Sequence, residues 1–408
     1  MINTIERQAD IQKIIAQLDI SPTMYQNAVE KYKALAAFLM DYGIEADVYP
    51  QGSFAFGTVV RPLYKSPDAN YDLDFICQFH LNRADITPSE LRKKIESALK
   101  SSDRYGGRLT KWDECFTIEY ADINGIGFSI DIVPAADEDY QRKSELLSIS
   151  NRPDLIKTAI AIPSQNSERS FNWLTNNPRG FKAWFDEINK PFLEYQALER
   201  RTKFYNEHRM LFESIEEIPS DLDRSAMQRV IQILKYHRDN YFQKLPHKNH
   251  DDIRPISAII NTLVANISKQ AAPTSDVFSL LTLVLNTLDI YAKQQTIQFD
   301  EFCSQHNGFT AISRKNGLWM IQNPANPKDN LANKWNENSD IPKFFFKWVQ
   351  ACRKDLVDSM QLSDSAFRTQ IENAFDPTIV KKYWGDKYSI SSPTPISTAS
   401  APKPYLSL

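Results

Sequence analysis

Three aspartates interrupt apolar runs in this sequence. Asp72 and Asp74 sit one residue apart in YDLDFICQF, and Asp131 lies within FSIDIVPA. Aspartate is depleted from strands, so its presence inside strand-like text asks for a reason. Residues i and i+2 of a strand leave by the same face, which sets the carboxylates of Asp72 and Asp74 side by side. They repel, and a cation must balance them. Oxygen-only ligands favour magnesium, which takes one or two carboxylates together with substrate phosphates. Asp131 is a third candidate ligand, and Asp122 stands across the turn of the same hairpin. Three carboxylates from two neighbouring strands could hold a two-metal centre of the kind that stabilises both oxygens of an in-line displacement. Taken alone, the Asp-x-Asp pair reads first as two solvated carboxylates at a strand edge.

A second segment, QGSFAFGT at residues 51–58, precedes the pair by about twenty positions. Small residues let the backbone approach a ligand closely. Backbone N–H groups and the Ser53 hydroxyl at the start of a helix would suit a triphosphate, because dipole and unpaired donors favour anions there. Alone, the segment reads as a turn entering a helix. The combination is more specific: a phosphate cradle at Gly52-Ser53, paired aspartates, and a third aspartate in a later strand.

The elements that must position these residues are legible around them. Ser21-Pro22 marks a helix start, followed by Tyr25, Ala28, Tyr32, Leu35, Ala36, Leu39 and Met40 at helical spacing until Gly43. Such a helix would brace a sheet. EADVYPQGS predicts a strand entering a turn, YDLDFICQF a strand, and 88–100 a helix. A hairpin is predicted with arms at 117–123 and 126–133, a turn at Asn124-Gly125, and Pro134 closing the second arm. From about residue 190 helical periodicity dominates and strand signals nearly vanish. Helices are predicted at 227–242, 255–268, 277–294, 343–360 and 365–375. The expected division is a core lobe at 1–190, a helical lobe at 191–385 and a flexible Ser/Pro/Thr-rich tail at 386–408.

Whole-chain properties narrow the class. The 408 residues carry 48 Lys and Arg against 51 Asp and Glu, a net charge of −3. That balance disfavours a dedicated nucleic-acid surface. Cys77, Cys115, Cys303 and Cys352 form no C-x-x-C pair, so neither a zinc ribbon nor a disulfide framework is indicated. A reduced, cytoplasmic setting is expected. The first twenty residues lack the apolar core of a signal peptide. No apolar run reaches the ~18–20 residues of a membrane span, so no membrane partner is expected.

QGSFAFGT, YDLDF and FSIDIVPA resemble the nucleotidyltransferases of the DNA polymerase β superfamily, in the branch of cyclic GMP-AMP synthase and oligoadenylate synthase. MQRVIQILKYHRDNYF, IRPISAIINTLVA and NPANPKDNLANKW extend the likeness to the bacterial DncV-like enzymes (CD-NTases), over residues 20–375. The resemblance implies an α+β fold: a polymerase β-like core, its small mixed sheet braced by the long N-terminal helix, joined to a helical C-terminal lobe. It implies that Gln51, Gly52 and Ser53 meet the donor triphosphate. Asp72, Asp74 and Asp131 would hold two Mg2+ ions (Mn2+ being a substitute), with Asp131 as base for the attacking hydroxyl. Lys235 matches a helix lysine that reaches the triphosphate, and Ser257 a serine near the same phosphates. Without the family, Lys235 would be paired with Asp239 at i+4, and Ser257 would be an ordinary helix residue. His237 and Arg238 read as structural. The aromatic residues of 171–185 read as packing under a family-type lid, with Asn166 and Arg179 near enough to touch a base. The implied activity is synthesis of a cyclic di- or trinucleotide from ATP, GTP or other ribonucleotides, activating a separate effector in anti-phage (CBASS) signalling. A linear-oligonucleotide, RNA-modifying or protein-modifying transferase and an inactive nucleotide-binding scaffold are the alternatives. The His/Cys zinc site with which animal cyclic GMP-AMP synthase grips DNA has no counterpart spacing here, so obligatory activation by double-stranded DNA is not expected. A regulatory or conjugating protein partner fits better.

Overall fold

The computed structural model describes residues 2–63, 70–123, 126–207, 224–246, 250–305 and 311–389. The chain begins with helices α1 (Thr4–Ile15) and α2 (Pro22–Asp41), strand β1 (Ala46–Pro50), the short helix α3 (Gly52–Phe56), strand β2 (Asn70–Asn82) and helix α4 (Pro88–Lys100). Strands β3 (Leu109–Lys111), β4 (Phe116–Ile123) and β5 (Ile126–Asp137) follow, then helices α5 (Tyr140–Ile149) and α6 (Pro153–Ile156). Strands β6 (Ile160–Gln165) and β7 (Phe171–Asn176) lead into the long helix α7 (Pro178–Glu207). The helix starts are chemically marked. The Ser21 hydroxyl accepts from the Met24 N–H, and Thr87 and Glu90 form a reciprocal capping box ahead of α4.

The sheet runs β1-β2-β5-β4-β3, with β6 attached to β5 and β7 to β6. β2 and β5 are parallel, whereas β1–β2 and β4–β5 are antiparallel, so the sheet is mixed. Odd-numbered residues of β2 (Leu73, Phe75, Cys77) and even-numbered residues of β5 (Ile130, Ile132) are buried with Leu35 and Leu39 of α2 and Ile95 and Leu99 of α4. Each such side chain stabilises the fold by roughly 1.5–3 kcal/mol, and together they fix which face of each strand points away from the helices. Met40, expected on the same helix stripe, is exposed.

The second lobe comprises α8 (Ala226–Gln243), α9 (His250–Ile253), α10 (Ser257–Ser268), α11 (Val277–Tyr291) and α12 (Phe299–Gln305). Two small hairpins come next, β8 (Ser313–Lys315) with β9 (Leu318–Met320) and β10 (Gln322–Asn323) with β11 (Asn326–Asn330). Helices α13 (Asn333–Glu337), α14 (Asp340–Leu356), α15 (Asp364–Phe375) and α16 (Pro377–Trp384) complete it. No helix among the described residues is long and apolar enough to cross a membrane.

Several expectations are corrected. β5 runs through Pro134 to Asp137 instead of closing there. Pairing with β4 ends at Ile132 and pairing with β6 begins at Ala136, so the missing proline N–H falls in a gap between neighbours. The hairpin turn at 124–125 lies outside the described residues. Strand signals vanish near residue 190, yet β8 to β11 form. Asn330 holds them locally, accepting from the N–H groups of Ile321 and Ala332 and donating to the Trp319 carbonyl. The 190/191 division falls inside α7, which carries Pro191 in its interior. Nor does the helical core respect chain order: Ile11 and Ile14 of α1 and Trp184 and Phe185 of α7 belong to it. Arg7 is buried there, donating to the carbonyls of Met360 and Leu362 and to Asp364. At the start of the expected tail, Lys387 pairs with Glu6 and Asp10, and the Tyr388 hydroxyl bonds Asp10. Residues 390–408 lie outside the described residues.

Candidate active site

The strand alternation that buries Leu73 and Phe75 sends Asp72, Asp74 and Ile76 to the other face. On β5 the same logic turns Asp131 and Val133 to that face. The register sets Asp74 opposite Asp131 and Asp72 opposite Ser129. Farther along this face, Ile76, Val133, Ala135, Ile160 and Ile162 form a small apolar cluster. One end of the face is therefore acidic and the other is sealed. Carboxylate oxygens of Asp72, Asp74 and Asp131 all lie within 4.8 Å of one another.

Three carboxyls this close cannot all ionise cheaply. Burial pushes Asp74 well above the ordinary carboxylate range, with Asp72 and Asp131 adding to the rise and Lys235 opposing it. Asp131 is also raised, mainly by burial, with the Thr117 hydroxyl pulling it down and Asp72 pushing it up. The cluster is short of positive charge. Its oxygen-only donor set, open to solvent at Asp72, fits a hard divalent cation.

α3 is laid directly against this cluster. The Gln51 N–H donates to the Asp74 carbonyl at 2.8 Å. Gly52 has φ +62°, and a Cβ there would collide with Asp74 Oδ2, so both the conformation and the space demand glycine. The Thr58 N–H bonds the Ser53 carbonyl at 2.9 Å, closing the segment on itself. Gly57, at φ +64°, lets Gln228 approach.

α8 grips the same segment from the other side. Gln228 donates to the Phe56 carbonyl at 2.8 Å, and Gln232 to the Val59 carbonyl at 2.7 Å and to Asp19 at 2.8 Å. Lys235 Nζ reaches the Thr58 hydroxyl at 3.2 Å. These residues stand at i, i+4 and i+7, one face of the helix. Lys235 is buried and its pKa is pulled down to about 8, chiefly by burial and then by Arg238. The pairing with Asp239 is not formed, because that carboxylate takes Arg238 and Arg254 instead. Arg238 also donates to the Ser257 hydroxyl at 3.1 Å and to the Pro255 carbonyl at 3.0 Å. α10 therefore begins at Ser257, not at Pro255. His237 lies in the core between Asp355, Trp348 and Cys352.

A cavity of about 1090 Å³ separates these walls. Gln51, Gly52, Ser53, Asp72, Asp74, Lys235 and Ser257 all line it. Asp131 supports the cluster from beside Asp74 and is not part of the lining. Arg238, set aside on sequence grounds as structural, is on the wall. Asn166 and Arg179 are not. Asn166 accepts from the Glu168 and Ser170 N–H groups to form a local turn. Arg179 stacks on Tyr49 at 3.9 Å and pairs with Asp47. Trp184 and Phe185 pack in the core as expected. Gln228 and Gln232 escaped sequence reading, although two long polar side chains at helical spacing ahead of Lys235 within MQRVIQILK are their signal. Asp122's side chain falls outside the described residues.

Residues 46–133 match the family model described as "Cyclic GMP-AMP synthase DncV-like, nucleotidyltransferase domain". Over 368 residues the chain is 22% identical to a c-di-GMP synthase of Roseivirga ehrenbergii, covering 88% of this chain and 82% of that protein. Its fold matches the CD-NTase CdnG of Bradyrhizobium diazoefficiens, solved in complex with GTP, with a TM-score of 0.63 and 18% identity over 92% of this chain and 97% of that one. It also matches CdnC of E. coli MS115-1, solved with ATP, with a TM-score of 0.56 and 15% identity over 91% and 96% of the two chains.

Proposed function

We propose, on the premise that this chain carries a DncV-like nucleotidyltransferase domain, that it joins ribonucleoside triphosphates into a cyclic di- or trinucleotide, with GTP as at least one substrate. The observation carrying the proposal is the convergence of Asp72, Asp74 and Asp131 beside Gly52-Ser53 at one cavity. GTP is favoured because the curated relative is named a c-di-GMP synthase and CdnG was solved with GTP.

Asp72, Asp74 and Asp131 would hold two Mg2+ ions. When bound, these ions would supply charge neutralisation at the attacking and leaving oxygens. The residues of the chain do the rest. Gln51, Gly52 and Ser53 orient the donor triphosphate, with Lys235 and Ser257 lining the same cavity. A 2′ or 3′ hydroxyl of the acceptor attacks the donor α-phosphorus, the bond to the β-phosphate oxygen breaks, and pyrophosphate leaves. Asp131, its basicity raised by burial, takes the hydroxyl proton. Repeating the transfer within the linear intermediate closes the ring. Positioning and fixed electrostatics supply most of the acceleration. The product would activate a separate effector protein in anti-phage signalling, and a regulatory or conjugating protein would control the enzyme.

The test is incubation with all four ribonucleotides and Mg2+, phosphatase treatment, then mass spectrometry. A phosphatase-resistant product containing guanosine supports the proposal. A phosphatase-sensitive ladder would instead identify a linear-oligonucleotide enzyme, and absence of pyrophosphate release from every mixture would identify a scaffold.

A further inference from the structure

We infer that Thr117 is a positioning residue for Asp131, itself held in that role by the indole N–H of Trp112. The inference rests on reading the acidic cluster as a divalent-cation site. Thr117 on β4 stands opposite Asp131 on β5 in the antiparallel register. Its hydroxyl oxygen lies 2.5 Å from Asp131 Oδ1. The Trp112 Nε1–H donates to the same hydroxyl oxygen at 2.9 Å.

The donor inventory fixes the direction of this chain. An indole N–H can only donate, and an ionised carboxylate can only accept. Trp112 therefore fills an acceptor lone pair of Thr117, and the threonine hydrogen is turned onto Asp131. That bond takes one lone pair of Oδ1 and sets the plane of the carboxylate, leaving its remaining lone pairs for a cation or for the proton of the attacking hydroxyl. Outer partners of this kind orient metal-binding carboxylates.

Trp112 is 58% exposed, so packing alone does not hold the indole. The backbone beneath it does. The Trp112 N–H bonds the Cys115 carbonyl at 3.0 Å. Arg92, buried and flanked by the rings of Phe116 and Phe171, donates to the carbonyls of Trp112, Asp113 and Cys115. The loop that presents the indole is thereby pinned to α4.

The test measures Mn2+ binding to the full chain without nucleotide, from the electron paramagnetic resonance signal of the free ion. Thr117→Val keeps the shape and removes the hydroxyl, and should weaken binding about 10-fold. Thr117→Ser should stay within about twofold of the parent, since the hydroxyl is restored. Trp112→Phe should weaken binding by less than Thr117→Val does, and should add nothing in the Thr117→Val background. A Thr117→Val protein that binds Mn2+ like the parent overturns the inference, as does an equal effect of Trp112→Phe in both backgrounds. If Thr117→Val does not fold, the exposed Trp112→Phe change decides: unchanged affinity overturns the inference. A parent that binds no Mn2+ overturns it too. A parent that binds Mn2+ with this pattern yet forms no cyclic product refutes the function proposed above and leaves the positioning chain standing.

Discussion

The two walls of the cavity are built on opposite principles. The strand wall gathers three carboxylates with too little positive charge around them, and burial pushes two of them above the ordinary carboxylate range. The helix wall is bonded to the segment it faces. Gln228 and Gln232 are buried and donate to the carbonyls of Phe56 and Val59. One wall leaves an electrostatic demand for a ligand to meet; the other holds the segment from Gly52 to Val59 at a set distance from that demand. Lys235 belongs to both, as a buried cation on the built wall that faces the acidic one. The lesson is that stability and function are separable here, and variants should separate them.

The largest effect is expected from Asp72→Asn combined with Asp74→Asn. Product formation should fall on the order of 10³-fold, while the ligand-free protein becomes no less stable. The linkage has a definite sign. Asp74 in the fold binds its proton more tightly than in the unfolded chain, so its contribution to stability is present in acid and lost as pH rises through the folded value. The double variant should lose that decline in denaturation curves recorded from acid to neutral pH. A variant that melts well below the parent would break the comparison, because the strand wall would then be structural.

Lys235→Met should come next. Activity should drop roughly 10²-fold. Ligand-free stability should rise by about 3 kcal/mol at neutral pH, given the depression to about 8 and ~1.4 kcal/mol per pKa unit. In the parent, the unfolded chain holds more lysine protons between about 8 and the unperturbed ~10.4, so stability should climb with pH across that window. Urea denaturation at stepped pH would show that climb in the parent and not in the variant.

Gln232→Leu probes the helix wall. Leaving the Val59 carbonyl and Asp19 without their donor should cost about 1–3 kcal/mol, with Mn2+ affinity unchanged. If Mn2+ affinity falls instead, the walls are not independent. The smallest effect belongs to Arg179→Ala, outside both walls. Its exposed pairing with Asp47 is worth about 0–1 kcal/mol, and product composition should not change. A shift in the bases incorporated would return Arg179 to the site.

Much of the strand wall was readable from residue order. Alternation is enforced by the pleat, so burying Leu73 and Phe75 had to turn Asp72 and Asp74 the other way. The same holds for Asp131 beside Ile130 and Ile132. The capped start of α2 was equally local: a serine followed by proline needs no distant partner. What stayed hidden was every choice between equally good partners. Lys235 could reach Asp239 one turn away, and the assembled lobes gave it Thr58 instead. Pro134 looked like a terminator until β4 and β6, sharing one edge of β5, left a gap for it. Arg179 looked available to a base until Tyr49 and Asp47 claimed it.

The order of residues alone determined the local geometry: which side chains share a strand face, where helices begin, and that three carboxylates stand in neighbouring strands. Tertiary structure alone decided that β2 and β5 run parallel with Asp74 facing Asp131. It also decided that a helix more than 150 residues downstream closes on the segment that follows β1. The physical reason is range. Pleat and cap act between neighbours along the chain, whereas register and lobe contact depend on which distant surfaces bury together, and no window of sequence contains both partners.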